Sequence, residues 1–488
     1  MSHILEGLEP HSVMHYFEEI CNIPHVSYHT EKISEYIISF AKEKGLDYYS
    51  DDSGNVVIYK KASAGYENHG TVILQGHVDM VGAKTEGSKH DFENDPIRLD
   101  PEAIKEGYIT AVDTTLGGDD GIAVAYMLSI LADPSLKHPP LECVFTVNEE
   151  VGLLGADALD LSVLKGKVML NMDSEDEGIF TTGSAGGMHM DCTIPMTSED
   201  FDGPCCSLIV SGLLGGHSGT SIGTGRPSAI VLLGRLLHLL EENTDFALVE
   251  MKAGEVDNAI ANKAEAVITC DGNDISGIKD LCERLQAELR VEYRGIDDGI
   301  TISCIQEDPA SCKGKRCVSS VSGEKAIFFL KNAPYGVQSR NAYDIQLVET
   351  SLNPGVLRMD SEHFMLGYSI RSSVESAKHE LADRLTYLTE FLGGTVDAGG
   401  DYPGWAYDPD SKLRPLCGEV YEEVSGKKAQ FETIHAGLEC GIFYHGIPGL
   451  DIISYGPDMK DIHTFDEKLS IESVKRTYEM TLKLLERL

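Results

Sequence analysis

Val72-Ile73-Leu74-Gln75-Gly76-His77-Val78-Asp79 is the stretch that decides the fold. Three large apolar residues in a row read as a short strand buried on both faces, the kind found in parallel sheets. Its end delivers an imidazole and a carboxylate. Three other apolar runs end in the same way. Residues 143–147 run into Asn148-Glu149-Glu150, and 168–170 into Asn171-Met172-Asp173. Residues 450–454 run into Gly456-Pro457-Asp458 and then His463. Open α/β sheets bind ligands beyond the carboxyl ends of their strands. Several strands bringing histidine and carboxylate to one edge is a metal-site pattern. Imidazole and carboxylate without thiolate suit zinc, with manganese or cobalt as substitutes.

Working outward, Thr115-Leu116-Gly117-Gly118-Asp119-Asp120-Gly121 supplies another carboxylate ahead of a helix at 122–131. Two glycines before Asp119 allow close backbone approach. One carboxylate can bridge two cations held roughly 3.5–4 Å apart. Taken singly, each motif has an ordinary reading. His77 would be a hydrogen-bonded histidine, Glu149-Glu150 a solvated pair, Asp119-Asp120 a turn and Asp173 a cap. Together they are harder to dismiss, because adjacent carboxylates directly after a buried strand are costly unless cations offset their repulsion.

The alternation of strands and helices predicts an α/β fold with a mixed, largely parallel sheet flanked by helices. After about residue 185 the texture changes. Residues 189–195, 207–213, 247–252, 264–270, 299–305 and 326–330 read as strands, with amphipathic helices over 228–242, 275–293 and 375–392. The expected plan is a catalytic domain over 1–185 and 399–488, interrupted by an α+β lid domain over 186–398 built of two related halves.

Composition limits the partners. The 488 residues hold 40 Lys+Arg against 79 Asp+Glu, a formal net charge of −39, with 42% hydrophobic residues. That excess argues against nucleic acid or an anionic membrane surface, both of which select basic patches. No apolar run approaches the roughly 18 residues of a membrane span, and the first residues have no signal-peptide pattern. Twelve scattered cysteines with no Cys-x-x-Cys pair fit a reducing compartment. A soluble cytoplasmic protein is expected.

Five ordered motifs resemble the dizinc exopeptidases related to aminoacylase and carboxypeptidase G: His77-Val78-Asp79-Met80-Val81, Gly117-Gly118-Asp119-Asp120-Gly121, Asn148-Glu149-Glu150-Val151-Gly152, Asn171-Met172-Asp173 and Gly456-Pro457 with His463-Thr464-Phe465-Asp466-Glu467. His435-Ala436-Gly437-Leu438-Glu439-Cys440-Gly441 and Tyr402-Pro403-Gly404-Trp405 are similar to the members of that family that cleave Xaa-His and β-alanyl-histidine dipeptides. The resemblance implies two Zn2+ per chain, replaceable by Co2+ or Mn2+. Asp119 would bridge them, His77 and Asp173 would complete one site, and Glu150 and His463 the other. Asp79 would orient His77. Glu149 would be the general base for the water between the metals. The peptide after Asp119 would be cis. In the insert, His217 of Gly215-Gly216-His217-Ser218-Gly219 would stabilise the oxyanion, of its own chain or of a partner subunit, and Asn258 and Arg371 would bind substrate. A homodimer is expected. Two departures from the family pattern stand beside the site, Asp120 where Asn is common and Thr464-Phe465 where Ser-Pro is common.

The same ligand set serves aminopeptidases, tripeptidases and N-acyl amino-acid deacylases. Two distant rivals remain. Gly219-Thr220-Ser221-Ile222-Gly223 fits the Gly-x-Ser-x-Gly string of serine hydrolases, although no strand runs directly into its first glycine. A non-catalytic binding protein of the same fold would have no need of Glu149 beside its metals.

Overall fold

The computed structural model describes residues 4–308, 310 and 312–488. The chain divides into two compact units, one of Met1–Ser184, Trp405–Thr433 and Leu438–Leu488, the other of Ala185–Gly404 and Ile434–Gly437.

An eight-stranded sheet organises the first unit. Its order is Asp47–Ser50, Val56–Lys60, Leu141–Thr146, Val72–His77, Val168–Asn171, Asp451–Ser454, Ile179–Ser184 and Gln430–Ile434. The four strands from Leu141–Thr146 to Asp451–Ser454 are parallel. Every residue of Val72–His77 and Leu141–Thr146 is buried, which is why their sequences show apolar runs rather than alternation. Register brings the carboxyl ends level: His77 lies opposite Thr146, Gln75 opposite Asn171, and Asn171 opposite Ser454. Against the sheet lies the helix Gly118–Ala132, buried at every position from Gly121 to Leu131. A helix that is apolar all round belongs in an interior.

The second unit carries a nine-stranded antiparallel sheet. Eight strands follow the order Thr301–Gln306, Cys205–Ser211, Ala264–Cys270, Phe246–Ala253, Val348–Met359, His363–Ser372, Gly186–Pro195 and Thr395–Tyr402, and Gly336–Arg340 also pairs with Val348–Met359. The helices Ala229–Glu241, Ile275–Glu292, Ser320–Asn332 and Glu375–Phe391 share its core through residues such as Leu233, Ile278, Phe329 and Leu385.

Two sequence expectations change here. Residues 326–330 belong to the helix Ser320–Asn332: Ala326, Ile327, Phe329 and Leu330 are buried while Phe328 is 45% exposed, a helical period hidden inside a short apolar run. A domain division after 398 falls inside the strand Thr395–Tyr402, which pairs with Gly186–Pro195 from Thr395↔Thr193 to Tyr402↔Gly187. The second unit therefore runs on to Gly404 and includes Ile434–Gly437 as well.

Candidate metal centre and active site

Parallel register turns four separated motifs into one cluster within the first unit. His77 ends its own strand, Glu149 and Glu150 follow Leu141–Thr146, Asp173 follows Val168–Asn171, and His463 follows Asp451–Ser454. Asp119 arrives from the start of the buried helix. Gly117 is left-handed at φ 73°, Asp119 and Asp120 are non-helical, and the peptide between them is cis. Asn148 (φ 55°) and His463 (φ 61°) also adopt left-handed backbone, a sparsely populated conformation that clusters at functional sites.

Asp119 lies between the two histidines. Its Oδ1 is 3.1 Å from His77 Nε2 and its Oδ2 is 3.1 Å from His463 Nε2. Glu150 Oε1 is 3.0 Å from His463 Nε2, and Asp173 Oδ1 is 3.7 Å from His77 Nε2. Ligand atoms of His77, Asp119 and Glu150 lie within 4.8 Å of one another, and so do those of His77, Asp120 and Asp173. His77 Nδ1 meets the carbonyl of Asp79 at 2.9 Å, closer than the Asp79 carboxylate at 3.6 Å. That carboxylate accepts from Glu149 N at 2.9 Å, Glu150 N at 3.4 Å and Ser27 Oγ at 2.8 Å. Asp79 thus holds the His77 ring through its main chain and the Glu149-Glu150 turn through its side chain.

The electrostatics ask for cations. Burial raises the carboxyl pKa values of Asp173 and Glu149, and neighbouring carboxylates add to the effect against the opposing pull of His77. Burial raises Asp120 as well, helped by the charges of Asp173 and Asp119. Asp119 is held low: burial opposes this, but its bonds to His463 and His77 win. In turn Asp119 and Glu150 push His463 up to about 10. Asp120 is 0% exposed, and both its carboxylate oxygens lack a hydrogen-bond partner. Its Oδ2 would sit 2.4 Å from a Cβ at position 76, so the glycine there makes room for it. Two imidazoles, several crowded carboxylates and no thiolate fit a pair of divalent cations. His77, Asp119, Glu150, Asp173 and His463 are the residues that would hold them.

Two supporting residues escaped the sequence reading. Glu467, 3% exposed, accepts hydrogen bonds from Leu116 N, Gly117 N, Gly118 N and Asp119 N, so it clamps the turn that presents Asp119. Glu439, 0% exposed, accepts from Gln75 Nε2 at 2.5 Å and Thr146 Oγ1 at 2.7 Å, while Asn171 Nδ2 donates to Gln75 Oε1. Burial, chiefly, pushes its pKa up to about 7. Both residues sit inside the motif strings read above, but only their burial marks them as structural partners.

The second unit holds His217, Asn258 and Arg371. His217 pairs with Ala259 in a two-stranded ribbon, and Ser218 N donates to the Asn258 carbonyl. Burial lowers the His217 pKa, and the charge of Arg371 lowers it further. Arg371 Nη1 donates to Tyr402 Oη at 3.3 Å, while its Nε is buried without a partner. His435 Nε2 lies 2.7 Å from Ser351 Oγ, and burial, then Arg371, lowers its pKa to about 3. Ser221 lies in a turn between the strand Gly216–His217 and the 3-10 turn Ile222–Thr224, not at the strand-to-helix elbow that serine hydrolases use.

Residues 73–487 match the peptidase family M20/M25/M40. The chain belongs to this family. It is 36% identical to the cytosol non-specific dipeptidase of Escherichia coli over 99% of this chain and 98% of the relative. The crystal structure of aminoacylhistidine dipeptidase from Vibrio alginolyticus superposes with a TM-score of 0.94 at 35% identity, covering 99% of this chain and 98% of that one. An aminopeptidase of Bacillus cereus shares the fold at a TM-score of 0.56 and 15% identity over 98% of both chains. Membership makes this chain a metallopeptidase, a hydrolase of peptide bonds. Among the described residues, no helix is long and apolar enough to cross a membrane.

Proposed function

We propose that this chain is a cytoplasmic dipeptidase that works with two zinc ions and takes Xaa-His dipeptides within a broad substrate range. One observation carries the reading: a single carboxylate, Asp119, lies 3.1 Å from each of two histidines, with Glu150 and Asp173 beside it. The two relatives near 35% identity support the dipeptide class, and the name of the Escherichia coli relative supports the cytosol. The homodimer follows from the family resemblance and is read by sedimentation.

When bound, the cations supply Lewis acidity to the scissile carbonyl and the attacking water. Glu149 takes the proton of that water on its carboxylate and passes it to the leaving nitrogen. Asp79 fixes Glu149 for this task through the bond from Glu149 N. His217, kept neutral, donates to the oxyanion. Arg371, with its buried Nε free of protein partners, pairs with the substrate carboxylate, and Asn258 donates alongside it.

The test is a comparison of kcat/KM for Ala-His, Gly-Gly and a tripeptide, with zinc, manganese or cobalt supplied. Preference for the dipeptides is expected. Strong preference for the tripeptide would move the assignment to another branch of the family, and no turnover with two ions bound would end the enzymatic reading.

A further inference from the structure

The sheet of the second unit has two unlike faces. Met188, Met190, Leu352, Tyr368 and Ile370 are buried in its core. Side chains alternate along a strand, so the intervening residues emerge on the opposite face. Register aligns them across three strands: Ser351 lies opposite Arg371, Arg371 opposite Gly187, Asn353 opposite Ser369, and Ser369 opposite His189. This polar face carries the segment that joins the strand Phe246–Ala253 to Ala259–Ile260, the segment in which Asn258 lies.

Arg358 Nη2 donates to the Gly254 carbonyl at one end of that segment, and three contacts hold the Asp257 end down. Asn353 Nδ2 donates to the carbonyls of Asp257 and Ala259, each at 2.8 Å. Gly355 faces Asp257 so closely that a Cβ there would lie 2.4 Å from the Asp257 Cα and carbonyl oxygen. His189 Nδ1 bonds to Asp257 Oδ2, the one side-chain pair of the three contacts. That bond raises the His189 pKa, while Arg371 opposes the charge and Asp191 favours it. On the other side of Asp257, the Asn258 carbonyl accepts from Ser218 N at 2.8 Å and Ala259 pairs with His217. Any shift of Asp257 therefore moves its neighbour Asn258, while the His217–Ala259 pairing keeps its own place in the ribbon.

We propose that His189 and Asp257 form a latch that fixes Asn258 relative to the strand bearing Arg371, and so act as positioning residues for substrate binding. The proposal rests on the reading of Asn258 and Arg371 as substrate-binding groups. The imidazole is about half exposed, so the latch contributes little to global stability. Its effect falls on KM.

The experiment compares full-length, metal-supplemented wild type with Asp257→Ala, His189→Ala, the double variant, His189→Asn, Asn258→Ala and the control Glu255→Gln. Ala-His is the probe, with hydrogen exchange followed over residues 254–262. Loss of one charge-assisted bond predicts a KM rise of about tenfold in either alanine variant, with kcat changed less than about threefold. The double variant should be no worse than the singles. His189→Asn restores a donor near the Nδ1 position and should recover most of the KM. Exchange over 254–262 should quicken in the alanine variants at unchanged melting temperature. Wild-type KM and exchange in Asp257→Ala and His189→Ala, beside an impaired Asn258→Ala, would overturn the latch alone. An unimpaired Asn258→Ala would overturn the substrate-binding reading and the latch with it.

Discussion

Glu467→Gln probes how the first unit presents Asp119. The carboxylate of Glu467 collects four consecutive amides: Oε2 accepts from Leu116 N at 2.7 Å and Gly117 N at 3.1 Å, and Oε1 from Gly118 N at 2.8 Å and Asp119 N at 3.4 Å. Glutamine keeps the shape and one acceptor oxygen but turns an NH2 group toward amides that need an acceptor. The smaller loss puts that group on the Gly118 side, where one of the two contacts is already long. A buried donor left without a partner costs about 1–3 kcal/mol, and the remaining bonds lose their charge assistance, so the total is about 2–4 kcal/mol. Expressed wholly as displacement of Asp119, this lowers metal affinity about thirtyfold to several hundredfold. Calorimetric titration of zinc into chelator-stripped wild type and E467Q reads the change, with far-UV circular dichroism confirming that both are folded. Wild-type zinc affinity in a folded E467Q would refute the idea that Glu467 holds Asp119 in place.

Three further outcomes follow from the same geometry. Glu149→Ala is expected to retain bound metal and lose about 10²–10⁴-fold in kcat, because a general base is removed while the ligand residues stay; equal turnover in the variant would remove Glu149 from its role. The carboxyl of Glu439 has a folded pKa of about 7, above its ordinary 4.5, so the metal-free protein binds the extra proton when folded. Its stability should fall as pH rises from about 4.5 to 7, and Glu439→Gln should flatten that part of a melting-temperature profile. Arg476 Nε and Nη2 grip Glu177 at 2.6–3.1 Å, and although burial opposes it, this pairing holds the Glu177 carboxyl below its ordinary range. That stability is present above the unfolded pKa and is lost as pH falls through the folded one, so acid should lower the wild-type melting temperature more than that of Arg476→Gln.

Much of the first unit was legible because its four central strands are parallel and largely buried on both faces. Runs such as Val72-Ile73-Leu74 declare themselves, and their polar ends fall at one sheet edge by topology alone. The second unit was harder to read. Its strands alternate between a core face and a polar face, so His189, Asn353 and Arg371 look like scattered surface residues until register aligns them. The strand Val348–Met359 carries Pro354 and Gly355 at a β-bulge, where its register with His363–Ser372 shifts, so it shows no unbroken alternation in sequence. Residues 326–330 misled in the opposite direction, since five apolar-rich residues carry too little period to separate a strand from a buried helix. Glu439 and Glu467 were present in the motif strings, but a supporting carboxylate is distinguished from a solvated one only by burial and by the amides around it.

His77, Asp119, Glu150, Asp173 and His463 are proposed to hold the cations on which peptide hydrolysis depends. The direct measurement is turnover of Ala-His by protein dialysed against a chelator and then titrated with zinc, with bound metal counted at each step. That ligand set predicts negligible activity in the stripped protein, recovery that tracks metal up to two ions per chain, and loss of the second ion in His463→Ala. Full activity in protein shown to carry no metal would contradict it.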